Sequence, residues 1–142
     1  MASDRIWGNP QEKTVILDTN AVLMLFEFSI DLHAELSRLI GGYHLVVPGS
    51  VVQELQKIAE NGEGKRQQNA KAGLSLIRTI EVITVEGARG DEAVFELAHM
   101  LNGFVVTNDK ALRKRLYDDS VPVIFMRKKQ TLCLESKTER IE

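Results

Sequence analysis

The sequence predicts an α/β fold in which one parallel sheet carries helices on both faces. Short apolar runs rich in β-branched residues alternate with longer segments of helical periodicity, in the order β-α-β-α-β-α-β-α-β. That alternation is typical of a parallel sheet joined by right-handed crossovers. A chain of 142 residues is also long enough for one domain with its own core.

The chain divides into a central domain and two polar ends. Residues 1–12 are polar and lack periodicity, so we expect a flexible lead-in there. Residues 136–142 are mostly charged, and we expect them to be frayed. This interpretation places one folded domain at residues 13–135.

The first part of the chain predicts two strands that flank a pair of helices. Residues 14–18 form an apolar run typical of a buried strand. A helix follows over residues 21–26, and Asp31 is positioned as the N-cap of a second helix. The glycines at 41–42 end that helix, and residues 44–47 form the second strand.

The middle of the chain predicts two helices and a third strand. Ser50 is positioned to cap the first of these helices, which carries Val51 and Leu55 on one face. Residues 61–64 include two glycines and separate it from the next helix. The β-branched run at 81–85 is typical of a strand.

The last part of the chain predicts two more strand–helix units. A helical apolar stripe between residues 93 and 101 precedes a fourth strand at 104–107. A short helix over residues 109–116 leads to a fifth strand at 122–126. Residues 131–134 then add an edge strand.

Composition excludes several classes of protein. The chain has 18 Lys and Arg against 20 Asp and Glu, a formal net charge of −2, which excludes a polycationic nucleic-acid binder. Cys133 is the single cysteine, so no intrachain disulfide forms and a reducing, cytoplasmic setting is expected. No apolar stretch is long enough to span a bilayer, and the N-terminus lacks a signal-peptide core.

Four acidic residues stand where predicted strands give way to helices. They are Asp18, Glu54, Asp91 and Asp109. Because the carboxyl ends of parallel strands meet at one edge, we expect these carboxylates to gather there. Carboxylates a few ångströms apart repel one another, and a hard divalent cation such as Mg²⁺ or Mn²⁺ relieves that repulsion. A metal held this way is typical of phosphate chemistry.

Each acid also has a purely structural interpretation. Asp18 and Asp109 could cap the helices that follow them, and Asp91 is the strongest cap candidate of the four. Glu54 could be an ordinary surface glutamate. Small polar side chains beside two of the acids could orient carboxylates or bind metal-bound water, or could serve only as caps and turns. They are Thr19, Asn20, Thr107 and Asn108.

Clusters of basic residues lie close to the acids in sequence. One cluster follows the glycine-rich break and consists of Lys65, Arg66 and Lys71. A second follows Asp109 and includes Arg113 and Arg115, and residues 127–129 form a third. Beside a metal-bearing edge such cations would hold a phosphate backbone, whereas the alternative is a solvated surface.

These residues together resemble those of a PIN-domain nuclease. The matching segments are Leu17-Asp18-Thr19-Asn20, Ser50-Val51-Val52-Gln53-Glu54-Leu55, Gly90-Asp91-Glu92-Ala93 and Val106-Thr107-Asn108-Asp109. The resemblance covers about residues 14–134. It implies a three-layer α/β/α sandwich with a five-stranded parallel sheet of order 3-2-1-4-5.

The resemblance also implies an activity and a role for each acid. It implies Mg²⁺- or Mn²⁺-dependent cleavage of single-stranded RNA, with the family's first three acids at Asp18, Glu54 and Asp91. The family's fourth acid corresponds to Asp109. In this interpretation Asp18, Asp91 and Asp109 hold the metal, and Glu54 positions or deprotonates the attacking water.

Two branches of that family fit the sequence. One comprises VapC-type toxins of toxin–antitoxin pairs, and the other the nuclease that processes precursor ribosomal RNA in the small-subunit processome. The expected partners are single-stranded RNA and either an antitoxin protein or a pre-ribosomal particle, with homodimerisation as a further hypothesis and no membrane partner.

Two other functions remain as alternatives. One is a non-catalytic RNA-binding or ribosome-assembly module on the same fold. The other is a metal-dependent phosphatase, against which Asn20 counts. An aspartyl-nucleophile phosphatase would carry a second acid at that position, two residues after the first.

Overall fold

The computed structural model describes residues 12–137. The strands in this part of the chain are β1 (Lys13–Leu17), β2 (Tyr43–Pro48), β3 (Glu81–Ile83), β4 (Phe104–Val106), β5 (Val123–Lys128) and β6 (Thr131–Glu135). The helices are α1 (Thr19–Glu27), α2 (Leu32–Ile40), α3 (Gly49–Asn61), α4 (Gly64–Ile77), α5 (Gly90–Leu101) and α6 (Lys110–Asp118).

All of these strands join in one sheet of order β3-β2-β1-β4-β5-β6. The parallel part confirms the predicted order 3-2-1-4-5, and the predicted edge strand is β6, which runs antiparallel to β5. The central strand β1 pairs in parallel with both β2 and β4, so the strand order changes direction beside it. In open sheets of this kind, ligands bind at the carboxyl ends of the strands near that change.

The side chains of β1 alternate between two helical layers. Val15 and Leu17 pack in a cluster that includes residues of α1, α2, α3 and α4. Ile16 points to the opposite face and packs with residues of α5 and α6. All three side chains are fully buried. The predicted three-layer α/β/α sandwich is therefore confirmed.

Two contacts position α4 against the neighbouring helices. Gly73 lets α4 approach α1 closely, because a Cβ atom there would lie 2.5 Å from Cγ1 of the buried Val22. Nε2 of Gln67 donates to the carbonyl oxygen of Ala59 at 2.9 Å, which ties the first turn of α4 to α3. The place of α4 on the surface is therefore set by packing and by a hydrogen bond.

Two local predictions are wrong. The third strand ends at Ile83 rather than at residue 85, because its partner Pro48 is the last residue of β2. Ser50 does not cap α3, because the helix already begins at Gly49 with Pro48 in the N-cap position and no side-chain capping bond. The Pro-Gly turn thus starts the helix earlier than the hydroxyl residue indicated.

The predicted lead-in and tail fall mostly outside the described residues, which begin at 12 and end at 137. Within residues 12–137, no helix combines the length and the apolar character needed to cross a membrane.

Candidate functional site

Asp18 is the one buried ionisable residue among residues 12–137, with 5% of its surface exposed. Its Oδ1 accepts a hydrogen bond from the backbone N–H of Ala21 at 2.7 Å, so Asp18 does cap α1. Its Oδ2 accepts a hydrogen bond from the Thr107 hydroxyl at 2.5 Å. Burial raises the pKa of Asp18 to about 6, against the effect of both hydrogen bonds, and the charges of Asp91 and Asp109 raise it further.

Asp91 lies in the first turn of α5, close enough to Asp109 and Glu54 for their charges to affect it. Asp91 does not cap the helix, because Arg89 holds the N-cap position and no side chain makes a capping bond there. The prediction that Asp91 is the strongest cap candidate of the four acids is therefore wrong. Partial burial raises the pKa of Asp91, and the nearby Asp109 raises it further. The charge of Glu54 acts in the same direction, whereas Arg115 opposes the shift. The exposed Asp91 is thus left without a capping role.

Asp109 combines capping with a place near the other acids. Its Oδ1 accepts a hydrogen bond from the backbone N–H of Leu112 at 3.0 Å, which makes it the N-cap of α6. Its charge nevertheless raises the pKa values of both Asp18 and Asp91. Capping and site membership are therefore compatible in this fold.

Glu54 projects from the exposed surface of α3 toward the junction of β1 and α1. Its Oε1 accepts a hydrogen bond from the hydroxyl of Thr19, the first residue of α1. The bond joins two segments that lie far apart in the sequence. The four predicted acids are thus brought into one electrostatically coupled group at the carboxyl edge of the sheet.

Three of the four acids line a cleft of about 410 Å³. Its wall consists of Asp18, Thr19, Asn20, Val51, Glu54, Lys57, Ile58, Arg66, Gly90, Asp91 and Val94. Asp109 is not part of this wall, although its charge reaches two acids that are. Lys57 was missed by the sequence analysis. Its spacing of three residues from Glu54 on a helix could have revealed it, because such residues share a face.

The small polar residues beside the acids have different roles. The Thr107 hydroxyl donates to Asp18 and accepts from the backbone N–H of Asp109 at 3.1 Å, so it fixes two acids relative to each other. Asn20 lines the cleft and is exposed. Oδ1 of Asn108 accepts from the backbone N–H of Met126 at 2.7 Å, so Asn108 ties its loop to β5 and does not orient a carboxylate through that bond.

The basic residues of α4 have no protein partners in the described part of the chain. Arg66 lines the cleft, and Lys65 joins it in lining an adjacent groove. The side chains of these two residues, which we call the α4 basic group, make no ion pair or hydrogen bond with residues 12–137. Lys71, on the same helix, is exposed and lines neither the cleft nor the groove.

The basic residues of α6 are engaged with carboxylates and aromatic rings. Arg115 donates two hydrogen bonds to Glu92, at 2.6 and 3.2 Å, and its guanidinium lies 3.9 Å from the centre of the Phe95 ring. Arg113 lies 3.6 Å from a Glu135 oxygen and 3.7 Å from the centre of the Phe125 ring. Arg113 lines a separate hollow, away from the acid cleft. We call Arg113, Lys114 and Arg115 the α6 basic group.

The donor atoms of the acid group fit a hard divalent cation. All are carboxylate oxygens, which Mg²⁺ and Mn²⁺ prefer over sulfur or nitrogen. Within residues 12–137, no three His, Cys, Asp or Glu side chains are arranged to hold an ion by themselves. Mg²⁺ keeps several waters and takes only one or two protein carboxylates in many sites, so the arrangement suits an ion completed by water and substrate oxygens.

Comparisons with known proteins agree with the fold. The family model described as "PIN like domain" matches residues 15–129, which include all four acids. Ribonuclease VapC9 of Archaeoglobus fulgidus is 27% identical over 135 residues, covering 95% of this chain and 98% of that protein. Ribonuclease VapC4 of Methanocaldococcus jannaschii is 25% identical over 120 residues, covering 82% of this chain and 92% of that protein.

Comparison with solved structures agrees with the same fold. The structure of the PIN domain endonuclease Utp24 is similar to this chain with a TM-score of 0.74 and 20% sequence identity. The similarity covers 89% of this chain and 93% of that one. At this level of identity the likeness establishes a shared fold.

Proposed function

The chain belongs to the PIN-like domain family, and from that membership and its acidic cleft we propose that it is a metal-dependent endoribonuclease acting on single-stranded RNA. The observation that carries the proposal is the coupling of Asp18, Asp91 and Asp109 through their charges. A buried carboxylate with a pKa near 6 beside two other acids is an unfavourable arrangement unless a cation binds there.

The residues of the cleft would divide the chemistry among themselves. Asp18, Asp91 and Asp109 would hold Mg²⁺ or Mn²⁺ partly through water, because no three such side chains among residues 12–137 are arranged to hold an ion by themselves. An ion held there would lower the pKa of water and offset negative charge on a phosphate. Glu54, which accepts a hydrogen bond from the Thr19 hydroxyl, would accept a proton from the attacking water. Arg66 and Lys57 on the cleft wall would attract the phosphate backbone.

The biological role that we favour is that of a toxin ribonuclease, because two relatives of similar length carry the name VapC ribonuclease. An antitoxin protein would then be the expected partner, and homodimerisation remains a hypothesis. Processing of precursor ribosomal RNA is the second candidate. It is favoured by the extent of the structural likeness to the endonuclease Utp24.

The direct test is cleavage of labelled single-stranded RNA by the purified protein. We expect endonucleolytic products with Mg²⁺ or Mn²⁺, and none after addition of EDTA. Asp91→Asn should abolish cleavage, whereas Asp118→Asn, an exposed acid paired with Lys114 on α6, should cleave like the wild type. RNA binding without cleavage under either metal would favour a binding or assembly module and contradict the proposal.

A further inference from the structure

A second hollow opens beside the acid cleft, between α1 and α4. Its volume is about 420 Å³, within the range of small-ligand sites, about 300–1,000 Å³. It is lined by Leu23, Phe26, Glu27, Lys65, Arg66 and Asn69, and we call it the α1–α4 groove. Arg66 lines both the groove and the cleft, so the two hollows share one cation. A strand of nucleic acid lying in the cleft would continue into this groove.

Phe26 lines the groove and packs against the core, and its aromatic ring is only partly buried. It is half-buried at the end of α1, and within residues 12–137 its ring meets neither a second ring nor a cation. The rings of Phe95 and Phe125 differ, because an arginine guanidinium covers each of them. An accessible ring next to a phosphate path is the element on which single-stranded nucleic acids stack their bases.

The cations of the groove are also placed for a ligand rather than for the helix. Lys65 and Arg66 stand in the first turn of α4, which contains no acidic residue, and the N-cap residue Glu63 makes no side-chain capping bond. Cations at a helix N-terminus oppose the helix dipole, so they weaken the helix unless an anion arrives. Asn69, one turn further along α4, has an amide within the same groove and no hydrogen bond to residues 12–137.

We propose that the α1–α4 groove is a nucleotide subsite in which Phe26 stacks on a base of single-stranded RNA next to the cleft. Lys65 and Arg66 hold the phosphates on either side of that base, and Asn69 and Glu27 offer hydrogen-bonding groups to its edge. The occupant is RNA rather than an acidic peptide because a flat aromatic face accompanies the cations. The subsite rests on the proposed function and extends it from the reacting phosphate to a neighbouring base.

The test measures RNA binding separately from cleavage. Fluorescence anisotropy of a short labelled single-stranded RNA is recorded in EDTA for the wild type and for Phe26→Leu, which keeps an apolar side chain but removes the ring. We expect binding to weaken by about five- to 150-fold, the value of one stacked base. Phe28→Leu, a nearby half-buried phenylalanine outside the groove lining, is the matched control and should bind like the wild type.

A second probe identifies the base as the partner of the ring. A series of RNAs of the same sequence is made, each with a single abasic nucleotide at a different position. One abasic position should weaken binding to the wild type more than binding to Phe26→Leu, since the variant has already lost the stacking contact. Thermal melting of both variants confirms that they are folded. If Phe26 is needed for folding, the abasic series with the wild type alone still shows whether one base carries the binding.

The outcomes separate this proposal from the proposed function. Equal RNA affinity of Phe26→Leu and the wild type, with no abasic position that matters, would overturn the subsite and assign the groove to another occupant such as a protein segment. Absence of cleavage with Mg²⁺ or Mn²⁺, together with ring-dependent binding, would overturn the nuclease and support the subsite.

Discussion

The α4 and α6 basic groups are both cationic, but they differ in their partners and in their positions along the helices. Each cation of the α6 group has an acidic partner, whereas Lys65 and Arg66 have none within residues 12–137. The positions along the helices differ as well. Arg115 lies in the last turn of α6, where a cation suits the helix dipole, and Lys65 and Arg66 lie in the first turn of α4.

That difference shows how a cation that is free to bind a ligand can be distinguished from one that stabilises the fold. In the α6 group, charge pairs and aromatic contacts hold α6 against α5 and the last strands of the sheet. In the α4 group, the charges add nothing to the helix that carries them and face the cleft and the groove. Binding of single-stranded RNA should therefore depend more on the α4 basic group than on the α6 basic group.

The largest effect should come from the acids that line the cleft. Asp91 lines the cleft, whereas its neighbour Glu92 is held by Arg115. We expect Asp91→Asn to abolish detectable RNA cleavage, because a carboxylate proposed to hold the metal becomes a neutral amide. Glu92→Gln should lower the cleavage rate far less. Single-turnover cleavage of labelled RNA measures both, and equal losses would show that the Glu92–Arg115 pair also belongs to the site.

The fold and the acids could be predicted from the sequence because both depend on local patterns. Apolar runs specify the strands, and an acid at each strand end falls at the carboxyl edge once the strands run in parallel. Capping was harder to predict, because whether Asp91 or Asp18 caps a helix depends on local geometry. The availability of the cations could not be predicted, because it depends on contacts between distant segments. Arg115 and Glu92 pair across 23 residues of sequence, and Phe26 and Asn69 line one groove only because α1 packs on α4.

The burial of Asp18, together with repulsion from its acidic neighbours, should appear as a pH dependence of stability without metal. The folded-state pKa of Asp18 is about 6, against an ordinary value of 3.8, so the native state binds the proton more tightly. The contribution of Asp18 to stability in EDTA should therefore be most favourable below about pH 4, and it should fall by about 3 kcal/mol as the pH rises through 6. Urea unfolding across this range measures the fall.

Asp18→Asn isolates the contribution of this group from those of the other acids. The amide oxygen can still accept from Ala21 and cap α1, but the side chain cannot ionise. The variant should lack this component of the pH dependence and be more stable than the wild type at pH 7 in EDTA. A variant less stable than the wild type at pH 7 would show that the bond from Thr107 to the carboxylate outweighs the repulsion.

Charge reversal tests whether the α4 basic group contributes more to RNA binding than the α6 basic group. Arg66→Glu should weaken binding of single-stranded RNA on the order of tenfold, the value of one charge-assisted contact, and make the salt dependence shallower. Arg113→Glu and Arg115→Glu should weaken it less, because each arginine is already engaged with a carboxylate. Affinity is measured over a salt series in EDTA. A larger loss at Arg115 than at Arg66 would reverse the assignment of the two groups.

The smallest effect is a change in stability whose sign differs between the groups. Arg66→Glu replaces a cation with an anion in the first turn of α4, which should stabilise the protein by about 0.3–1 kcal/mol while weakening RNA binding. Arg115→Glu removes a pair with Glu92 and puts an anion in the last turn of α6, so it should destabilise the protein. Arg78→Glu, at the C-terminal end of α4, is the control and should not stabilise. Chemical unfolding at low salt resolves the signs. A loss of stability in Arg66→Glu would mean that Arg66 supports the fold. Its position beside the cleft would then no longer indicate a role in RNA binding.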